Sequence, residues 1–167
     1  MPPASSTRST ARLRLRPLRP DDLEALIKVE GDPATNQHRP AGPPTDDEVE
    51  QYLRGFVQAW TVDGVGYWAV VHGDEFVGVA GLRPLVLQGR DCWNLYYRLS
   101  PSVWGRGFAR EAALEAVAFA GEQSPRLPVV ARTRPANFPA KLVAQCAGLQ
   151  RRTDLDDDGF EVFSYGW

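Results

Sequence analysis

The strongest constraint on this chain is a change of period near its middle. Three strand-like runs follow one another, "YWAVV" (67–71), "FVGVAGLRPL" (76–85) and "CWNLYYRLS" (92–100). They carry β-branched and aromatic residues with short turn signals such as "HGDE" between them. The chain then reads "SPSVWGRGFAREAALEAVAFA" (100–120), in which two glycines precede a run of strong helix formers. Consecutive short-linked strands make an antiparallel sheet, and a helix entered directly from its last strand must pack back on it.

The flanks extend this pattern. "ARLRLRPL" (11–18) alternates apolar and charged residues as a half-exposed strand does. In "RPDDLEALIKVE" either Asp21 or Asp22 caps a short helix that turns Leu23, Leu26 and Ile27 inward. The stretch 31–44 is a Pro- and Gly-rich loop. "TDDEVEQYLRGFVQAW" opens on a capping box, Thr45 with Glu48, and carries an apolar stripe through Val49, Leu53, Phe56, Val57 and Trp60. After the central helix, which runs to about Gln123, come a strand in "LPVVARTR", a helix in "FPAKLVAQCAG" and a closing hairpin from "QRRTDL" and "FEVFSYGW". The predicted order is β-α-α-β-β-β-α-β-α-β-β, one α/β domain over 11–167 behind a disordered tail over 1–10.

A formal net charge of −2 argues against a general nucleic-acid or anionic-membrane partner. No apolar run approaches the roughly 18 residues of a membrane helix. The N-terminal "MPPASSTRST" lacks the apolar centre of a signal peptide. Cys92 and Cys146 show no metal-ligand spacing and read as reduced, packed thiols of a cytoplasmic protein.

The glycine turn, "WGRGFA" (104–109), carries the chemistry. A helix start leaves several amide N–H groups without partners at the positive end of the peptide dipoles. Gly105 and Gly107 let an anion approach that backbone, and Arg106 adds a charged donor. A nucleotide P-loop needs a lysine and hydroxyl that "GRGFAREA" lacks. A dinucleotide fingerprint needs glycine where Arg110 stands, and it belongs in the first βαβ unit. The plain structural alternative is a tight strand–helix turn.

"SPSVWGRGFAREA" resembles the acetyl-CoA pyrophosphate loop of the GNAT superfamily of N-acetyltransferases. More narrowly, it is similar to the branch that acts on ribosomal-protein N-termini. Trp104 stands at the first position of the superfamily pattern, usually Gln or Arg, and Gly107 and Ala109 at its last two. Asn137, followed eleven residues later by Gly148-Leu149, resembles the family's "N-x-x-S … G-F" segment. The resemblance covers about 11–167 and implies a GNAT fold: a mixed, mostly antiparallel, twisted sheet of about seven strands with about four helices, the fourth and fifth strands splayed. It implies acetyl-CoA as cosubstrate, no metal and a primary-amine acceptor, and it leaves room for a homodimer. The backbone of Tyr97, Arg98 and Leu99 would pair with the pantetheine arm. Trp104 and the amides of Gly105, Gly107, Phe108 and Ala109 would hold the pyrophosphate, with Arg106 and Arg110 near phosphate, and Asn137 would bond the arm.

Two departures thin the acid–base machinery. The family's strand glutamate falls on Trp93 or Asn94, and its motif serine is Ala140. Neutralising a lysine of pKa about 10.4 at pH 7 costs roughly 4.6 kcal/mol, an α-amine near 7.8 only about 1 kcal/mol. A site without a strong base therefore suits a protein N-terminal α-amine first and a small-molecule amine (polyamine, aminoglycoside, amino acid) second. Asp91, Asp32 and Glu30 remain acids that folding can bring in. Asn94 with a water chain and Tyr97 are the catalytic candidates, and the Leu99 amide would polarise the carbonyl. Strand alternation allows at most one of Tyr96 and Tyr97 to face the cleft. A CoA-binding module without catalysis is the alternative that the missing residues allow. His38, in the loop beside the acceptor site, is a substrate-binding candidate, and His72 is read as a turn residue. "DLDDDGFE" (154–161) has the first half of a calcium loop but Tyr165 where glutamate is needed, so it reads as a hairpin turn.

Overall fold

The computed structural model describes residues 6–123 and 125–167. Among these residues eight strands form one sheet: β1 (Arg8–Ser9), β2 (Arg14–Pro17), β3 (Tyr67–His72), β4 (Glu75–Leu87), β5 (Arg90–Leu99), β6 (Val129–Thr133), β7 (Gln150–Arg151) and β8 (Glu161–Tyr165). Their order across the sheet is β1-β2-β3-β4-β5-β6-β8-β7. Every pairing is antiparallel except β5 with β6. Among the described residues four α-helices accompany it: α1 (Leu23–Glu30), α2 (Asp46–Val62), α3 (Phe108–Glu122) and α4 (Phe138–Cys146). The predicted order of elements stands, with one short strand added at the front.

That strand corrects the expected tail. Residues 1–5 lie outside the described residues, but Arg8 and Ser9 pair with Leu15 and Arg14. Arg8 bridges to Glu115 and Glu122, each at 2.7 Å, and Trp68 Nε1 donates to the Ser6 carbonyl at 2.6 Å. A polar segment without apolar period is thus held by charges on α3 and by a buried indole, partners far away in sequence.

The capping box of α2 forms as expected: the Thr45 side chain accepts from the Glu48 N–H, and Glu48 accepts from the Thr45 N–H. Asp22 precedes α1 without capping it. Its carboxylate instead takes Arg16 and the Arg19 N–H. Tryptophans and tyrosines read as core are buried: Trp60, Tyr67 and Trp68. Cys92 is a buried thiol, pushed up to about 11 chiefly by burial. Cys146, expected to be packed, is exposed because it stands in the last turn of α4 on its outer side.

Alternation along β5 assigns the two faces. Leu95, Tyr97 and Leu99 pack with α3 and α4, whereas Tyr96 packs with α1 and α2. On α3 the buried stripe is Phe108, Ala112, Ala113, Ala116, Phe119 and Ala120. Its alanines let the helix lie close on the sheet, while each buried phenylalanine contributes about 2 kcal/mol.

The feature that positions the site is a parting of strands. β5 pairs with β4 along its whole length, from Arg90 to Leu99. With β6 it pairs only at Trp93–Val129 and Asn94–Val130. Beyond Asn94 the two parallel strands diverge, the splay expected of the family's fourth and fifth strands.

Candidate active site

The glycine turn stands beside the mouth of this gap. Gly105 and Gly107 have φ of +78° and +79°, a left-handed backbone that costs other residues about 1–2 kcal/mol. The tight-turn requirement is therefore real. Its consequence is also the predicted one. Among the described residues, the amides of Gly105, Arg106, Gly107, Phe108, Ala109 and Arg110 donate to no acceptor. The first bond of α3 runs from the Glu111 N–H to the Gly107 carbonyl at 3.1 Å. A Cβ at Gly105 would meet no heavy atom within 4 Å, so the backbone there faces open space. This cluster of free donors at the positive end of a helix of 15 residues fits a diphosphate.

The turn is braced from behind. Arg12 Nη1 donates to the Arg106 carbonyl at 2.7 Å, and Arg12 Nε pairs with Glu111 at 2.8 Å. Burial works against ionisation of Glu111, but hydrogen bonds from Thr10 and Arg12 outweigh it and hold the carboxyl below its ordinary range. The His72 ring lies 4.8 Å from that of Phe108. Its Nδ1 stands 3.0 Å from the Arg12 carbonyl, and Arg106 Nη2 stands 3.4 Å from its Nε2. His72 is thus more than a turn residue, a role no local signal announces. Arg106 is corrected with it: stacked on Phe108 at 4.6 Å, it is absent from the cleft lining, whereas Arg110 is present.

The β5 edge supplies the second set of donors. Trp93 N–H donates toward β6, to the Pro128 carbonyl at 2.8 Å, and Ser100 N–H toward β4, to the Val77 carbonyl at 2.8 Å. The register between is regular, so the amides of Tyr97 and Leu99 face the gap and that of Arg98 faces β4. Tyr97 and Leu99 can therefore pair with an extended arm through their N–H groups, and Arg98 cannot. Trp104 Nε1 donates to the Leu99 carbonyl at 2.9 Å, fixing the edge to the glycine turn.

Two clefts meet at this edge. The larger, about 520 Å³, runs from Trp104 and Gly105 along α4 and is mostly apolar. The smaller, about 380 Å³, opens between β5 and β6 on the side of the loop after α1. His38, Tyr97, Arg98, Asn137 and Ala140 line both. Asn137 caps α4, its Oδ1 accepting from the Ala140 N–H at 3.2 Å, which leaves the Nδ2 donor for the cleft. Asn94, not the core residue Trp93, lines the smaller cleft.

Both tyrosines line the smaller cleft, against the expectation of at most one, because the parted strand exposes its edge as well as its faces. Tyr97 donates to the Ala140 carbonyl at 2.5 Å, and burial raises its pKa far beyond the ordinary phenol. Tyr96 donates to Glu30 Oε1 at 2.9 Å, and burial raises its pKa as well, with Glu30 adding to the effect. Glu30 also pairs with Arg98 at 3.2 Å, and Arg98 donates to Asn36 Oδ1 at 3.1 Å. Of the three acids left open by the sequence, Glu30 is the one bonded to β5 side chains beside the gap, at Tyr96 and Arg98, whereas Asp91 stands exposed at the start of β5. Sequence reading missed Arg39, Arg132, Arg134 and Phe160 on the smaller cleft; they come from three separate segments with no shared motif. Among the described residues no three His, Cys, Asp or Glu gather as a metal site, and no helix is long and apolar enough to cross a membrane.

The family described as "Acetyltransferase (GNAT) domain" matches residues 12–150. The FsC-acetyl coenzyme A-N(2)-transacetylase of Aspergillus fumigatus is 32% identical over 154 residues, 87% of this chain; the chain spans 66% of that protein's length. An acetyltransferase from Agrobacterium tumefaciens has the same fold, with a TM-score of 0.82 at 23% identity over 96% of this chain and 94% of its own. The ribosomal L7/L12 alpha-N-protein acetyltransferase RimL, solved with coenzyme A, has a TM-score of 0.75 at 15% identity over 95% of this chain and 96% of its own. With the family matched across most of its length, the chain belongs to the GNAT acetyltransferases.

Proposed function

We propose that this chain transfers the acetyl group of acetyl-CoA to a primary amine, a protein N-terminal α-amine before any other, by direct attack in a ternary complex. One observation carries the reading: the uncommitted amides of Gly105, Gly107, Phe108, Ala109 and Arg110 at the start of α3 and the free edge of β5 open into one cleft. Bound acetyl-CoA supplies the activated acetyl thioester. The amides of Gly105, Gly107, Phe108 and Ala109, with the Arg110 guanidinium, hold its diphosphate. The amide of Tyr97 and the Asn137 Nδ2 hold its arm. The Leu99 amide polarises the carbonyl to be attacked.

The amine enters by the smaller cleft, where Asn94 orients it and a water chain carries away its proton. No carboxylate lines that cleft, so the low cost of neutralising an α-amine, about 1 kcal/mol against roughly 4.6 for lysine, favours the α-amine. Burial keeps Tyr97 protonated past neutral pH, the state needed in a proton donor to a leaving thiolate. Its O–H donates to the Ala140 carbonyl, and donation to the thiolate requires it to turn into the cleft. One similar protein is named an alpha-N-protein acetyltransferase and another an N(2)-transacetylase, which supports an amine acceptor carried by either a protein or a small molecule.

Calorimetry with acetyl-CoA and thiol release over an amine panel test this reading. We expect binding, a rate above the uncatalysed one, and at least tenfold weaker binding in Arg110→Glu. Absence of binding overturns the site. Binding without thiol release leaves a silent module instead of an enzyme.

A further inference from the structure

The chain carries 19 basic and 21 acidic residues, so a cleft placed at random would show both signs. The smaller cleft does not. Arg39, Arg98, Arg132 and Arg134 line it, and no aspartate or glutamate does. Nearby carboxylates neutralise two of the four: Glu30 pairs with Arg98 at 3.2 Å and Asp157 with Arg132 at 3.4 Å. Among the described residues, Arg39 and Arg134 have no carboxylate in ion-pair contact. Arg39 donates to the Tyr52 hydroxyl at 3.0 Å, and Arg134 donates to the Asp158 carbonyl at 3.4 Å while its guanidinium lies 3.8 Å from the Phe160 ring centroid.

Phe160 holds Arg132 as well, 4.5 Å from its ring, so two guanidiniums share one aromatic support despite their repulsion. Between them Thr133 is buried, with its hydroxyl unpartnered among the described residues, as is the Arg132 Nε. Unsatisfied donors and like charges held together cost free energy unless something polar and negative completes them. These arginines are not needed for the diphosphate, because Arg39, Arg132 and Arg134 are absent from the larger cleft.

Resting on the acetyltransferase reading above, we infer that the acceptor is an amine that carries an anionic group close to its nitrogen. The guanidiniums of Arg39 and Arg134 take the anion, a carboxylate or a phosphate, while the amine lies at Asn94 and the strand edge. A polyamine or an aminoglycoside, cationic throughout, is repelled from the same surface.

The test uses four amines with the unmodified protein: the peptide amides Ser-Asp-Glu-Ala and Ser-Asn-Gln-Ala, and phosphoethanolamine against ethanolamine. We expect kcat/KM at least tenfold higher for the anionic member of one pair, as a charged hydrogen bond confers. The pair that shows it tells a peptide source from a small molecule. In the double variant Arg39→Gln, Arg134→Gln that preference falls about tenfold, while acetyl-CoA affinity by calorimetry holds. Equal or better use of the neutral members, or a preference untouched in the double variant, overturns the inference and leaves the acetyltransferase reading standing. No acetylation of any amine by a protein that binds acetyl-CoA overturns both.

Discussion

The two clefts that meet at Tyr97 are built in opposite ways. The larger one presents main-chain donors, five amides in one turn and two more on β5, set in an apolar lining. The smaller one presents side chains, with arginines from the loop after α1, from β5 and from β6 and its exit. Main-chain donors are the same whatever the residue, so such a cleft recognises a common handle and depends on backbone conformation. Side-chain donors differ with each residue, so the other cleft is where selection among acceptors belongs. Beneath it Glu30, Tyr96, Arg98 and Asn36 form a polar network whose two acceptors, Glu30 and Asn36, are buried.

The largest test strikes that network. Glu30→Ala leaves the Tyr96 hydroxyl without its acceptor and Arg98 without its carboxylate, with only Asn36 Oδ1 to take a bond from it. Removing one partner of a buried pair costs about 3 kcal/mol, to be read from urea unfolding at pH 7. A loss below about 1 kcal/mol, the worth of an exposed pair, would mean that the acceptor side has no such foundation.

A second test uses alkaline pH. Burial, opposed by Arg83 and Asn94, pushes the Tyr67 phenol up to about 12 from 10.0. The unfolded chain therefore loses this proton first, and stability present below pH 10 declines as pH rises toward 12. The difference of 2, at about 1.36 kcal/mol each, bounds the loss from this group near 2.7 kcal/mol. Tyr96 and Tyr97 are raised too and act in the same direction. Tyr67→Phe should make the decline in the urea midpoint between pH 9 and 11.5 shallower; an unchanged slope would remove Tyr67 from the account.

The smallest effect belongs to the main-chain cleft. Gly107→Ala forces a side chain into φ +79° and toward Arg12 Nη2 at 3.3 Å, at about 1–2 kcal/mol. We expect roughly tenfold weaker acetyl-CoA binding by calorimetry and an unchanged preference among acceptors. A shift in that preference would show that the two clefts are not separable.

What could be read in advance follows the same division. "WGRGFAREA" told of the glycine turn because a turn and a helix start are contiguous, and their conformation is written in neighbouring residues. The order of elements, the α2 capping box and the aromatic core were legible for the same reason. The tail was not, since Arg8 meets Glu115 and Glu122 across more than a hundred residues. Nor was the orientation of Arg106, which His72 and Phe108 decide.

The sequence by itself determined the alternation of strand and helix and the bare amides at the start of α3, because both are local consequences of side-chain period and of glycine. Only the tertiary structure decided where β5 leaves β6, which edge amides are thereby freed, and which arginines gather there without acids. Those outcomes depend on the meeting of distant segments, and pairwise contact across a fold has no signature in the order of residues along one chain.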